Sequence, residues 1–168
     1  MSRLTTLPTK VFFKSLNITE KQLKEINKEW EITYSKYKID CFKGIKEAVK
    51  ELYENNYILA IITSRTMSEF EELNKILEEV KNCFQLIVTS DLVENPKPSK
   101  DSMDYLIKEI NCTEKDIIYI GDSLIDEEFA KNSNCTFIPA VWENKELMGH
   151  KNACIKPEKL IERIRLEN

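Results

Sequence analysis

From residue 44 onward, short continuous apolar runs alternate with segments whose apolar positions recur at helical spacing. The runs are YILAIIT (57–63), FQLIVT (84–89), IIYIG (117–121) and CTFIPA (135–140). Each is short and rich in β-branched residues, so each predicts a strand. YILAIIT is apolar throughout, which predicts burial on both faces. Between the runs lie amphipathic segments. Gly44–Tyr53 places Ile45, Ala48, Val49 and Leu52 on one face. Thr66 and Glu69 form a capping pattern before the stripe Phe70, Leu73, Ile76, Leu77 and Val80. Ser99 precedes Met103, Leu106, Ile107 and Ile110, and a short helix is predicted over Leu124–Lys131. Pro157 opens a terminal helix carrying Leu160, Ile161 and Ile164. This alternation predicts an α/β fold, a parallel sheet with helices on both faces.

Residues 1–40 do not alternate in this way. Residues 19–37 predict a long helix, with Thr19 and Gln22 as a capping box and Leu23, Ile26, Trp30 and Tyr34 as its apolar stripe. The expected division is therefore 1–40 and 41–168, with no compositional break between them.

A chain of 168 residues suits a single domain with a real core. Its 42% hydrophobic and 32% charged content is that of a soluble globular protein, and a net charge of −4 argues against a nucleic-acid surface. The longest apolar run, Tyr57–Thr63, is far too short to cross a bilayer. The N-terminal stretch MSRLTTLPTK lacks a signal-type apolar core. Cys41, Cys83, Cys112, Cys135 and Cys154 are odd in number, form no CxxC pair and have a single histidine, His150, for company. That pattern does not suit zinc, and free thiols in a reducing cytoplasm are expected.

The candidate chemistry sits at the strand ends. The first strand ends in Thr63-Ser64-Arg65, the loop after the second contains Lys97, and the third ends in Gly121-Asp122 with Asp126 one helical turn on. Parallel strands bring such ends to one side of a sheet, where open α/β sheets bind ligands. A hydroxyl, main-chain amides at a helix start, a lysine and paired carboxylates suit a phosphate held beside a divalent cation. Thr63 and the amides would donate to phosphate oxygens, Lys97 would neutralise charge, and Asp122 and Asp126 would offer oxygen ligands to Mg²⁺.

IITS (61–64), NPKPS (95–99) and GDSLID (121–126), in that order and each at a predicted strand end, resemble the haloacid dehalogenase superfamily and its phosphoglycolate-phosphatase-like branch. FKGIKEAVKELYENNY (42–57) resembles the helix and turn leading into the family's second motif. The resemblance covers roughly residues 42–140. It implies a Rossmann-like core and Mg²⁺-dependent hydrolysis of a small phosphorylated metabolite through a phospho-aspartate. Residues 1–40 would be a partial helical cap and 41–168 the core. Thr63, with Ser64 beside it, would bind phosphate, Lys97 would be the motif lysine, Asp122 the metal ligand, and Asp126 a second ligand or a group behind it.

The family's first motif is an Asp-x-Asp near the N-terminus, whose first aspartate attacks phosphorus. This sequence contains no Asp-x-Asp, and its first aspartate is Asp40. The family's first strand, which lies between the strands ending here at Thr63 and Gly121, is absent with it. The expectation is a slot roughly 10 Å wide between those strands, with unpaired main-chain groups on its edges. Either the sheet closes up or the slot is filled, by TKVFFKS (9–15) or by a separate polypeptide supplying the missing strand, and the enzyme is then expected to be represented here by an N-terminally incomplete chain. The alternative function is a non-catalytic family member acting as a binding or interaction protein. An unrelated flavodoxin-like receiver domain fits the alternation but not the order of lysine and GDSLID.

Each residue also has an ordinary structural reading. Asp122 can cap the next helix, Asp126 can lie on a solvated helix face, and Lys97 can be a loop lysine. Ser64 reads more naturally as a turn residue, Arg65 as a surface residue, and Trp30 as packing. Trp142 follows the last strand, where it can border the site.

Overall fold

The computed structural model describes residues 18, 19, 21, 22, 24–26, 28, 29, 40–71 and 74–167. Residues 9–15, Leu23, Trp30, Tyr34 and Leu73 lie outside the described residues. The chain divides into two compact units, Met1–Asp40 and Cys41–Asn168. In the first, residues 21, 22, 24–26, 28 and 29 are helical. The reciprocal cap is present, with Gln22 Oε1 accepting from the Thr19 N–H at 3.0 Å and Thr19 Oγ1 accepting from the Gln22 N–H at 3.4 Å.

The second unit alternates as its sequence predicts. Its elements are α1 (Ile45–Glu54), β1 (Leu59–Ile62), α2 (Met67–Glu71), α3 (Asn74–Leu77), β2 (Phe84–Val88), α4 (Asp101–Ile110), β3 (Ile118–Gly121), α5 (Leu124–Asn132), β4 (Thr136–Pro139) and α6 (Leu160–Arg165). Thr66 and Glu69 form the reciprocal cap before α2. Ser99 does not cap α4. The helix starts at Asp101, and the Ser99 hydroxyl instead donates to the Asp101 carboxylate.

The four strands form two separate parallel ladders, β1 with β2 and β3 with β4, and no ladder joins β1 to β3 among the described residues. The hydrogen bonds show which edges are left without a partner strand among the described residues. The Thr63 N–H donates to the Val88 carbonyl at 2.9 Å. Successive residues of a strand turn their main-chain groups to opposite neighbours, so Ile61 and Thr63 face β2 while Ala60 and Ile62 face away from it. Ile117 and Gly121 accept from Thr136 and Ala140 of the β4 segment. Ile118 and Ile120 therefore turn their N–H and C=O groups away from β4. The far edge of β4 is covered by Cys154, which donates to the Pro139 carbonyl and accepts from the Val141 N–H.

Two hydrophobic cores run above and below both ladders. One joins Val88, Met103, Leu106, Tyr119 and Phe129, with Ala60, Ile62 and Phe137 packed against it. The other joins Leu52, Ile138, Cys154, Leu160 and Ile164, with Leu59, Ile118 and Ile120 packed against it. α4 and α5 thus cover one face, and α1 and α6 the other. β1, but not β2, contributes to the second core beside Ile118 and Ile120, so the edge of β1 that no described strand pairs is the one nearer β3. The expected burial of YILAIIT on both faces is corrected here: every residue of β1 is half-buried. Helices cover the two faces of the strand, but no described strand covers its free edge.

Candidate active site

The site is built on the carboxyl ends of β2 and β3. The loop after β2 is pinned on both sides of Lys97. Asp101 accepts from the main-chain and side-chain N–H groups of Asn95, both at 3.0 Å, and the Asn132 amide donates to the Pro98 carbonyl at 2.9 Å. This holds Lys97 over the start of α5. Its ammonium donates to Asp126 Oδ1 at 2.7 Å and to the Tyr119 hydroxyl at 2.9 Å.

Asp126 is 6% exposed, and both of its oxygens are engaged. Oδ1 accepts from Lys97 and from the Tyr119 hydroxyl. Oδ2 accepts from the Ser123 hydroxyl at 2.6 Å and from the main-chain N–H groups of Ser123 and Asp122 at 3.2 and 3.3 Å. Ser123 in turn accepts from the Asp126 N–H, closing a capping box on α5. The cap of this helix is therefore Ser123, not Asp122. Burial alone would raise the Asp126 pKa. The Lys97 ammonium and the hydrogen bonds from Lys97, Ser123 and Tyr119 outweigh it and hold the carboxyl below its usual range.

Gly121 is what lets Asp126 fold back this far. A Cβ at position 121 would lie 2.4 Å from the Asp126 Cβ and 2.6 Å from its Cγ. Asp122 is exposed, and its main-chain carbonyl is held by the Asn144 amide at 2.7 Å. Partial loss of hydration and the neighbouring Asp126 charge push its carboxyl above the usual range. A cavity of about 620 Å³ opens beside it, lined by Phe42, Ile120, Gly121, Asp122, Trp142 and Asn144. Phe42 and Trp142 meet edge to face in its wall at 5.4 Å.

The structure thus links Lys97, Asp126 and Asp122 through hydrogen bonds. Thr63 stands at the end of β1, where its hydroxyl accepts from the Arg65 N–H at 3.2 Å. It makes no hydrogen bond with Lys97 or Asp122 among the described residues. Ser64 lies in the bend that follows. Tyr119 and Ser123 were not anticipated as site residues. Tyr119 reads in the sequence as an ordinary strand aromatic. Ser123 was legible, because Ser-x-x-Asp is a capping signal.

Mg²⁺ is commonly held by one or two carboxylates with waters and substrate phosphate completing its shell. Asp122 fits one place in such a shell. Asp126 does not offer a free oxygen, and no group of three or more metal-binding side chains occurs among the described residues. Among those residues, too, no helix is long and apolar enough to cross a membrane.

Residues 1–140 match the haloacid dehalogenase-like hydrolase family. The chain belongs to that family, and its relatives place it in the phosphoglycolate-phosphatase-like branch. It is 28% identical over 104 residues to the pyrophosphatase PpaX of Listeria welshimeri, a match covering 62% of this chain and 48% of that protein. It is 26% identical over 96 residues to the phosphoglycolate phosphatase of Vibrio cholerae, covering 56% and 41%. The chain spans about half the length of the curated relatives it matches. Among solved structures, a hydrolase from Pseudomonas syringae shares the fold with a TM-score of 0.77 at 21% identity, covering 96% of this chain and 79% of that one.

Proposed function

We propose that this chain carries the phosphate-binding and metal-binding part of a phosphohydrolase acting on a small phosphate monoester. The observation that carries this reading is the meeting of Lys97, Asp126 and Asp122 at the carboxyl ends of β2 and β3. Lys97 supplies a fixed positive charge, and Thr63 supplies a hydroxyl that accepts from the Arg65 N–H and donates to no acceptor among the described residues. Ser64 offers a further donor from the same turn. Asp122 is the residue that would hold Mg²⁺, which supplies charge neutralisation for the phosphate. Asp126 acts behind it, holding Lys97 rather than the ion. Phe42 and Trp142 give the leaving group an apolar wall. The division into a partial helical cap over 1–40 and a core over 41–168 belongs to this reading. So do a cytoplasmic location, supported by cysteines that are odd in number and form no CxxC pair, and the absence of nucleic-acid and membrane partners, supported by the net charge of −4.

In this chemistry a carboxylate oxygen attacks phosphorus, the bond to the alcohol breaks, and water then releases phosphate. Neither described carboxylate at the site suits the first step. Asp126 is saturated with donors, and Asp122 would have to leave the ion. The nucleophile is therefore assigned to a polypeptide segment that docks on the edges of β1 and β3 that no described strand pairs. The same saturation favours one second reading, a binding protein that retains the anion site without turnover.

The test is hydrolysis of an aryl phosphate with Mg²⁺, together with binding of inorganic phosphate. The chain alone should bind phosphate, lose that binding in Lys97→Ala, and show negligible turnover. A peptide carrying an apolar strand that ends in Asp-x-Asp should restore turnover. Failure of that peptide would favour the binding-protein reading. Robust turnover by the chain alone, abolished in Lys97→Ala, would overturn the assignment of the nucleophile.

A further inference from the structure

Lys97 Nζ, Tyr119 Oη and Asp126 Oδ1 form a closed triangle with sides of 2.7, 2.9 and 2.9 Å. The protons in it can be assigned from chemistry alone. An ammonium only donates, and an ionised carboxylate only accepts. The Tyr119 hydroxyl must therefore give its proton to Asp126 and accept one from Lys97. Lys97 donates twice, Asp126 Oδ1 accepts twice, and the Tyr119 hydroxyl does each once.

The hydroxyl is not needed for packing. The Tyr119 ring sits edge-on to Phe129 at 4.9 Å and stacks near Phe137 at 6.3 Å, and a phenylalanine would fill the same space. Burying a phenol in this core costs free energy unless it is hydrogen-bonded, and here its two partners are both charged. Their effect falls on Lys97. A lysine ammonium is a compact charge on a flexible stem, with three N–H groups that rotate freely. Held by Asp126 alone, it can still turn about that contact. A second acceptor 2.9 Å away fixes the turn, and with it the direction of the third N–H.

We propose that Tyr119 is a positioning residue that fixes the orientation of the Lys97 ammonium and reserves its third N–H for a phosphate oxygen. This rests on the reading of Lys97 as a phosphate ligand. It adds that the cation is set in place by this chain's own residues, before any nucleophile-bearing segment arrives.

The experiment uses the full chain, uniformly ¹⁵N-labelled, and observes lysine ammonium signals by NMR, with Lys97→Ala assigning the Lys97 signal. In the unmodified chain the Lys97 ammonium should give a resolved signal with cross-relaxation to the Tyr119 ring protons. In Tyr119→Phe that signal should broaden beyond detection, and the dissociation constant for inorganic phosphate should rise about three- to tenfold. The main-chain amide spectrum should be largely preserved. A purely structural role predicts an unchanged Lys97 signal and unchanged phosphate affinity in Tyr119→Phe, and that result overturns the proposal. Should Tyr119→Phe not fold, the cross-relaxation in the unmodified chain decides, and its absence counts against the positioning role. Equal phosphate affinity in the unmodified chain and in Lys97→Ala would defeat the phosphate reading, while the Lys97 signal would still report whether Tyr119 holds the ammonium.

Discussion

The Lys97 ammonium stands 2.7 Å from a carboxylate oxygen of Asp126, and the two side chains are only 11% and 9% exposed. This pair ties the loop after β2 to the helix after β3. In the described part of the molecule no strand ladder makes that connection. The two halves of the sheet are thus held by their shared cores and by polar contacts at their carboxyl ends, where the site lies.

Lys97→Met should be strongly destabilising, because it leaves the Asp126 charge buried without its cation. The cost of breaking such a pair, eased here by the donors that remain on Asp126, is about 2–4 kcal/mol near neutral pH. Its pH dependence follows from the lowered pKa of Asp126. A carboxyl depressed in the folded state contributes stability above its unfolded pKa of about 3.9, and loses it as pH falls through the folded value. The gap between the native chain and Lys97→Met should therefore narrow below about pH 4. Denaturant titrations across pH 2–7 measure it, and a gap that stays constant or widens on acidification would contradict the pairing.

Asp122→Asn should stabilise the fold. The Asp122 carboxyl is raised by partial desolvation and by the Asp126 charge, so its ionised form is disfavoured in the folded state. Because the group is exposed, screening limits the gain to at most about 1 kcal/mol, or about 1–3 °C in melting temperature. For a raised carboxyl the penalty exists above the folded pKa and is gone below the unfolded one. The gain should thus be present at pH 7 and vanish below about pH 4. Paired melting curves at the two pH values check this, and destabilisation at pH 7 would show that the charge serves the fold.

Gly121→Ala should disturb the site without emptying the core. The added Cβ would fall 2.4 Å from the Asp126 Cβ, so the start of α5 must move. Overpacking of this kind costs about 1–3 kcal/mol. The expected signature is a lower melting temperature together with loss of the Lys97–Asp126 coupling in a double-mutant cycle. A variant as stable as the native chain, with that coupling intact, would refute the close approach.

Much of this was legible in the sequence, for reasons that differ from place to place. The strands were readable because LAII, FQLIV and TFIP are short and β-branched or aromatic. Lys97 and Asp122 were readable as neighbours because both follow parallel strands, whose ends converge. The Ser123–Asp126 cap is a local pattern. What stayed hidden depended on neighbours distant in the chain. The composition of β1 predicts full burial, but burial of a strand's edge is decided by whatever lies beside it, and sequence periodicity carries no record of that. Tyr119 alternates correctly for an inward-facing core residue, and only the fold shows that its hydroxyl reaches the Lys97 ammonium. Whether Asp126 is a second metal ligand or a group behind it is not legible in the sequence, because the five groups that donate to it come from a strand, a distant loop and its own helix start.

The open sheet is tested most directly by amide hydrogen exchange in the full chain. Ile61, Thr63, Tyr119 and Gly121 turn their N–H groups to a neighbouring strand, whereas Ala60, Ile62, Ile118 and Ile120 turn theirs to the edges that no described strand pairs. Protection should therefore alternate residue by residue along β1 and β3, with the four edge amides exchanging at least about tenfold faster than their immediate neighbours. Uniformly strong protection along both strands would mean that β1 and β3 are already paired on both sides, and would contradict the open sheet and the docking of a further strand upon it.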